Sequence, residues 1–175
     1  MTDGEAIPAP TRLPKLARAS LILGIVAAIR LVPEVVAIVP RDPGHVYYLL
    51  LGLDLLWAGL WIGAGVVLRS PRPAAVKFAA IDGALLLGNA LASACFVARD
   101  FLKVPPGPRP SNWTILIAFY GSRMLFYGIE IAFWAWALLV LLKQAPGRST
   151  LTAIVVAFLL AAAFQTILLI ALFGW

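Results

Sequence analysis

Long apolar runs alternate with short segments rich in proline and glycine along this chain. Each run is at least as long as the roughly 20 residues that an α-helix needs to cross a bilayer. Proline and glycine in the intervening segments end helices and form turns. The pattern predicts an all-α, polytopic membrane protein, a five-helix transmembrane bundle. The helices are expected at about 18–39, 46–69, 75–98, 113–141 and 151–174.

Residues 1–17 carry prolines and mixed charges without an apolar period, which predicts a short polar tail. The basic residues in this segment precede an apolar stretch, as they do in a signal peptide. Arg30 and Glu34 interrupt that stretch, so we expect the first helix to be retained. A four-span alternative would require this helix to be cleaved or to lie in the interface. Residues 18–175 are expected to form one five-span domain, whose longest loop is the proline-rich segment 99–112.

The composition is that of a membrane protein, with 62% hydrophobic and 13% charged residues. The net charge of +6 comes from basic residues scattered at helix ends, which suits anionic lipid headgroups better than nucleic acid. Eight of these residues flank the N-terminal side of the membrane and four the other side, which predicts an inside N-terminus and an outside C-terminus. The eight are Arg12, Lys15, Arg18, Arg69, Arg72, Lys77, Lys143 and Arg148, and the four are Arg41, Arg99, Lys103 and Arg109. Abundant Ala, Arg and Pro with few Lys indicate a bacterial cytoplasmic membrane.

Enzyme chemistry has little support in this sequence. Cys95 is the only cysteine and His45 the only histidine, which excludes an intrachain disulfide, a thiolate zinc site and a bis-histidine haem. Motifs for nucleophilic, metal-dependent or nucleotide-dependent catalysis are missing. We therefore expect no enzyme activity, no catalytic residues, no cofactor and no metal site. Cys95 itself is expected to be a small packing residue within a helix.

Ionisable and amide side chains interrupt the apolar runs at similar depths. With a rise of about 1.5 Å per residue, they lie within roughly 8 Å of the midpoint of each predicted span. Groups at this depth usually face the bundle interior and mark ligand, ion or proton sites. The predicted intramembrane polar site consists of Arg30, Glu34, Asp54, Asp82, Asn89, Arg123, Glu130 and Gln165.

The segment 121–130 in the fourth helix is expected to organise this polar layer. Arg123 and Glu130 are seven residues apart, two helical turns, and so face the same side. The first and fourth helices run antiparallel in the predicted topology. We therefore expect Glu34 to pair with Arg123, and Arg30 to reach Glu130 or Asp82.

Four acids face two arginines in this layer, so the charges do not balance. Asp54 is a second candidate partner for Arg123, because a guanidinium can serve two acceptors. Asp82 has no obvious base within the chain and is the best candidate for pairing with another subunit. Some of these carboxyls are expected to stay protonated, since unpaired carboxylates in low dielectric are unfavourable by several kcal/mol each.

Small residues predict where helices approach each other closely. Gly59 and Gly63 form a GxxxG motif in the second helix, a weak motif by itself. Ala153, Ala157 and Ala161 form a ridge of small side chains along the fifth helix.

Two classes of function agree with these features. The first is a protomer for proton-coupled or small-solute transport, or a channel, acting as an oligomer, because buried carboxyls that exchange protons suit such a role. The alternative is a non-catalytic subunit or scaffold of a larger membrane complex, in which the buried charges serve helix assembly and partner docking. The expected partners are the lipid bilayer and either further copies of the chain or a membrane complex.

Overall fold

The computed structural model describes residues 13–38, 45–70, 72–103, 113–144 and 147–173. Within these residues the chain forms five α-helices and no strand, so the predicted all-α fold is confirmed. The helices are α1 (Leu13–Ile38), α2 (His45–Val67), α3 (Pro73–Leu102), α4 (Trp113–Gln144) and α5 (Arg148–Phe173). The side chains of residues 33–38, 45–47, 50, 113–119 and 173 are outside the description.

The apolar surface of these helices is that of a membrane protein. Pro73–Leu102, Tyr120–Gln144 and Arg148–Leu172 are long and apolar enough to cross a bilayer, and α2 contributes a shorter apolar segment, Leu51–Val67. Large apolar side chains are exposed on every helix, among them Ile22, Leu56, Phe78, Leu125 and Ile167. Such side chains are favourable against lipid and unfavourable against water. The passage of α1 and α2 through the membrane and the orientation of the chain stay predictions.

Helix α3 is the centre of the fold. It packs against α2, α4 and α5, while α1 packs mainly against α2. Ala79, Ala80, Ala84 and Ala90 of α3 are completely buried. Small side chains let neighbouring backbones approach closely, which is how membrane helices pack without a hydrophobic driving force between them. The expectation that the segment 121–130 of α4 organises the chain is therefore wrong, since most of its side chains are exposed or half-buried.

Helices α1 and α2 make their closest approach at Gly24 and Gly65. A Cβ at Gly24 would lie 2.9 Å from the backbone nitrogen of Ile62, and a Cβ at Gly65 would lie 2.9 Å from the carbonyl oxygen of Ala17. The buried Ser20 hydroxyl donates a hydrogen bond to the carbonyl oxygen of Trp61 on α2, at 2.7 Å. A hydroxyl bonded to a neighbouring backbone joins two helices that are already in close contact.

The GxxxG motif of α2 does not make this contact. A Cβ built at Gly59 or at Gly63 would meet nothing within 4 Å. The close approach uses Gly65, two residues further along, because that side of α2 faces α1. The sequence correctly indicates a small-residue contact for α2 but selects the wrong glycines.

The alanine ridge of α5 packs where the sequence predicts a contact. Ala157 and Ala161 are buried, and Ala153 is half-buried. Gly88 of α3 lies against this ridge, where an added Cβ would be 2.5 Å from the carbonyl oxygen of Phe158. Helices α3 and α5 are therefore in backbone contact at this point.

The largest boundary difference is at the start of α1, which begins at Leu13 rather than at residue 18. Leu13, Leu16 and Ala17 are buried in the core, and this burial draws the end of the predicted tail into the helix. Pro14 is compatible with this because the first turn of a helix has no intrahelical partner for its backbone N–H groups.

Several predicted segments lie outside the described residues. They are the rest of the tail (1–12), the turn at 40–44, and the part of the proline-rich loop that covers 104–112.

Cys95 is not a buried packing residue as expected, because its side chain is exposed. It lines an apolar groove of about 250 Å³ between α3 and α5, together with residues such as Leu91 and Leu169. If α3 spans the membrane as predicted, this groove faces acyl chains, which a charged reagent does not enter.

We therefore expect a charged, membrane-impermeant maleimide to leave Cys95 unmodified in intact membranes and to label it fully in SDS. The matched control is Leu102→Cys in a Cys95→Ser background, since Leu102 is 81% exposed at the end of α3 and should be labelled without SDS. Mass spectrometry of the intact chain counts the adducts. Rapid labelling of Cys95 in intact membranes would place this face of α3 in water.

Candidate functional site: a polar cavity shared by five helices

Polar side chains from all five helices line one cavity of about 50 Å³. A water molecule requires roughly 10–15 Å³ on this measure, so a few waters fit. The polar residues of the wall are Arg30 of α1, Asp54 of α2, Asn89 and Ser93 of α3, Tyr127 and Glu130 of α4, and Gln165 of α5. The remainder of the wall is Ala27, Leu31, Trp57, Ala58, Trp61 and Phe126.

On each helix the residues that line the cavity lie along one face, which we call a stripe. On α2 the stripe is Asp54, Trp57, Ala58 and Trp61, which recur at the spacing of one helix face. The other helices follow the same rule over shorter stretches. The polar residues therefore meet because they share a depth and because the stripe that carries each of them faces inward.

Arg30 supplies the positive charge of the cavity wall. Its guanidinium carbon lies 4.3 Å from the centre of the Phe126 ring on α4, in a cation–π contact. Its Nε is buried, and no described residue accepts a hydrogen bond from it. The Phe126 ring therefore holds the Arg30 side chain in place, and the Nε–H group is left as a hydrogen-bond donor for a molecule in the cavity.

Glu130 is the most buried acid of the wall, with 9% of its surface exposed. The Trp61 side chain makes a hydrogen bond to its carboxyl, in which the indole N–H is the donor. The charges of Arg30 and Asp54 both act on this carboxyl, the first attracting its anionic form and the second repelling it. Glu130 therefore sits between opposing charges in a small volume.

Amide groups complete the wall on α3 and α5. The Gln165 Nε2 donates to the Ser93 Oγ at 3.2 Å, which links the two helices across the cavity. The Gln165 Oε1 and the Asn89 Oδ1 are buried, and neither accepts a hydrogen bond within the described part of the chain. Both oxygens line the cavity as acceptors for a donor inside it.

Tyr127 and Ser93 belong to the wall but were not predicted from the sequence. Tyr127 lies close enough to Arg30, Arg123 and Glu130 for their charges to act on its hydroxyl. Its spacing of three residues from Glu130 places it on the same helix face, a signal that could have identified it. Ser93 likewise follows Asn89 by one turn.

Arg123 is not part of the cavity wall, although it was expected to be the centre of the site. It is half-buried and lies one turn from Tyr127 on α4, beside the cavity. The cation in the wall is Arg30 instead, because α1 turns that side chain toward α4. Glu34 lies in α1, but its side chain is outside the described residues, so its predicted pairing with Arg123 stays a prediction.

Asp82 is separate from the cavity and lies within the protein. It is 2% exposed, so the expectation that it pairs with another subunit is wrong. Pairing with Arg30 is also wrong, because neither oxygen of Asp82 has a hydrogen-bond partner among the described residues. The small residues of α3 near Asp82 let α2, α4 and α5 pack closely against α3.

An aromatic cluster extends from the cavity wall to α3. Trp61 lies in the wall, and its ring centre is 4.8 Å from that of Trp134 and 5.2 Å from that of Phe133. The Trp134 ring packs on Gly83 of α3, where an added Cβ would lie 2.6 Å from it. The aromatic cluster therefore reaches from the cavity wall to the residue that follows Asp82 in the sequence.

No family model, curated protein or solved structure matches this chain.

The chemistry available in the cavity is acid–base chemistry and binding of small donors. Two carboxyls and one guanidinium share a volume that holds a few waters, and two amide oxygens provide further acceptors. Carboxyls next to confined water can take up and release protons. The arrangement therefore suits protons, water or a small hydrogen-bond donor.

Proposed function

We propose that this protein is a protomer of a small transporter or channel in the cytoplasmic membrane of a bacterium, which moves protons or a small polar solute coupled to them. In this proposal all five helices span the membrane, the N-terminus is inside and the C-terminus is outside. The observation that carries the proposal is that all five helices contribute a polar side chain to one cavity.

A purely structural role for these groups has less support. Hydrogen bonds between membrane helices contribute only about 0.6 kcal/mol on average, whereas removing an ion from water is unfavourable by several kcal/mol. A network that served assembly alone would be expected to satisfy its members. Instead, the Nε of Arg30 and the amide oxygens of Asn89 and Gln165 have no partners within the described residues.

The size of the cavity favours protons and water over larger solutes. A volume of about 50 Å³ is far below the roughly 300 Å³ at which small-molecule pockets begin. A larger pathway would have to form between copies of the chain, which agrees with action as an oligomer.

Proton flux in proteoliposomes tests the proposal. The purified protein is reconstituted with a pH-sensitive dye inside, and a pH gradient is imposed together with a potassium-valinomycin clamp. Wild type is expected to dissipate the gradient, and Glu130→Gln and Asp54→Asn to abolish this activity with expression and oligomer size unchanged.

The matched control is Asp100→Asn, which also removes a carboxyl from a helix but at the end of α3, where Asp100 pairs with Arg99 at 3.0 Å. It is expected to keep wild-type flux. A wild-type protein that carries no proton-dependent flux, or a Glu130→Gln variant as active as wild type, would overturn the proposal.

The alternative function, a non-catalytic subunit or scaffold, is favoured by a different observation. Gly52 and Gly59 of α2 and Gly121 and Gly128 of α4 are exposed, and a Cβ at any of them would meet nothing within 4 Å. Open glycine faces allow close packing of further helices. A subunit would lose co-purifying partners in Gly59→Leu or Gly128→Leu and would show no flux of its own.

A further inference from the structure

Asp82 is a buried carboxyl that the polar cavity does not use. It is 2% exposed, and within the described residues both of its oxygens are buried without a hydrogen-bond partner. A carboxylate in such a place is strongly unfavourable, whereas the protonated acid is tolerated. An ionisable group kept inside a membrane protein in this way indicates a functional role more often than a structural one.

The position of Asp82 connects it to the cavity. Asn89 and Ser93 follow it by seven and eleven residues, which are two and three helical turns, so the three side chains lie on one face of α3. Asn89 and Ser93 line the cavity. Asp82 is about 10 Å further along the helix axis, toward the N-terminal end of α3.

Apolar side chains of the buried core separate Asp82 from the cavity. Leu86 lies on the same face of α3 and belongs to the same buried apolar cluster as Trp61 and Trp134, whose rings are tilted by 58°. Side chains can change rotamer, which a backbone barrier cannot do. The Trp134 indole N–H is itself buried, and no described residue accepts its proton.

The electrostatic surroundings of Asp82 are apolar. It packs in the region where α2, α4 and α5 surround α3, and burial is the only influence that acts on its carboxyl among the described residues. No described charged side chain from these three helices neutralises its anion. The proton is thus the species that can compensate its charge.

We propose that Asp82 is a second proton-binding station, in series with the cavity, and that the species moved by the protein is the proton itself. This inference rests on the proposed transport function. The Glu130 O–H bond breaks, its proton passes along water that enters as the intervening side chains change rotamer, and a new O–H bond forms on the Asp82 carboxylate. The Glu130 carboxylate then takes up a proton delivered to the cavity water. The Asp82 O–H bond then breaks, and the proton passes to water at the N-terminal end of α3, about 14 Å away.

The Trp134 indole has a part in this sequence. The benzo edge of its ring contacts Gly83, the neighbour of Asp82, and its buried N–H has no acceptor among the described residues. In this proposal the ring turns so that the N–H can donate to the carboxylate that exists between the two transfers. A single donor of this kind stabilises the short-lived anion without replacing the proton. Trp134→Phe removes the N–H and keeps the aromatic volume.

The first experiment detects the proton directly. Infrared spectra of the wild-type protein in lipid should contain the carbonyl stretch of a protonated, desolvated carboxyl, with its small shift in D₂O. The component of this band that belongs to Asp82 is expected to disappear in Asp82→Asn and to persist in Glu130→Gln and Asp100→Asn. A spectrum of Asp82→Asn that keeps the whole wild-type band would show that Asp82 binds no proton, and the inference would be wrong.

The second experiment links this site to transport. Proton flux is expected to fall roughly a hundredfold or more in Asp82→Asn, which is the effect of removing a positioned proton-transfer group, and less in Trp134→Phe. Thermal unfolding and oligomer size of both variants are compared with wild type to exclude misfolding. The Trp134→Phe variant supplies the flux measurement if Asp82→Asn does not fold.

The outcomes separate this inference from the proposed function. Wild-type flux that is unchanged in Asp82→Asn overturns the second station and leaves the transport proposal intact. A wild-type protein that passes no protons overturns both. Flux lost in Asp82→Asn, together with loss of the infrared band, supports the station as described.

Discussion

Replacing Gly88 with alanine is expected to lower the free energy of unfolding by about 1–3 kcal/mol, the range found for overpacking in a well-packed core. The added Cβ would lie 2.5 Å from the carbonyl oxygen of Phe158 and 3.1 Å from the backbone nitrogen of Ala162. Backbone atoms cannot move aside as a flexible side chain can, so α3 and α5 would have to separate. The variant is measured by unfolding in mixed micelles, followed by circular dichroism.

Gly59→Ala is the matched control for this experiment. Gly59 also lies within a helix, but a Cβ there would meet nothing within 4 Å. Alanine is intrinsically better than glycine in a helix by about 1 kcal/mol, so this variant should be stabilised rather than destabilised. Equal effects of the two substitutions would show that α3 and α5 are not in backbone contact.

Replacing Arg30 with methionine is expected to destabilise the protein by about 1–3 kcal/mol, the range for leaving a buried polar group uncompensated. Arg30 lines the cavity together with Asp54 and Glu130, and its charge acts on Glu130 directly. Methionine keeps much of the apolar volume beside Phe126 and removes the charge. Glu130 would then remain buried with a repelling carboxyl and without this attracting cation.

A double-mutant cycle isolates the charge interaction. Glu130→Gln removes the anion, so Arg30→Met with Glu130→Gln should be more stable than the sum of the two single effects predicts. Additive effects would contradict an interaction between Arg30 and Glu130.

Arg99→Met provides a control with the same residue type and a similar aromatic contact. The Arg99 guanidinium lies 4.2 Å from the centre of the Phe96 ring, close to the 4.3 Å of Arg30 over Phe126. Its ion pair with Asp100 is partly exposed, with 22% and 31% of the two side chains accessible. We expect a change of about 0–1 kcal/mol, the usual contribution of an exposed pair.

These predictions concern features that the sequence reveals to different degrees. Gly88 and Gly59 have the same local pattern, a glycine inside an apolar helix, and the sequence gives no reason to separate them. Their opposite expected effects come from the helix that lies opposite each of them, which is α5 for Gly88 and open space for Gly59. A motif such as GxxxG identifies candidates for contact but not the side of the helix that is used.

Five of the eight residues of the predicted polar layer line one cavity. Arg30, Asp54, Asn89, Glu130 and Gln165 were grouped from their distances to the span midpoints alone, and these five side chains line one cavity. The rise per residue of a helix is constant, so position in the sequence converts directly into depth.

The pairing within the layer was not predictable. Arg123 was expected at the centre and lies beside the cavity, while Asp82 was expected at a subunit interface and lies inside the protein. Both errors arose because the sequence does not show which way a side chain points around the helix axis or which helix lies opposite it. Tyr127 and Ser93 were missed for the same reason. They line the cavity because they lie on the helix faces that point inward.

By itself, the sequence determined that the described chain is helical, where each helix begins and ends to within a few residues, and how far along its helix each polar side chain lies. These features depend on local properties, namely the length of each apolar run, the positions of proline and glycine, and the constant rise of a helix. Local properties can be predicted from the sequence alone. The tertiary structure decided that α3 is central, that Arg30 is the cation of the cavity and that Asp82 is buried within the protein. Those features depend on how each helix is rotated and which helix it meets, because packing of small residues against one another selects a single arrangement from many that share the same apolar pattern.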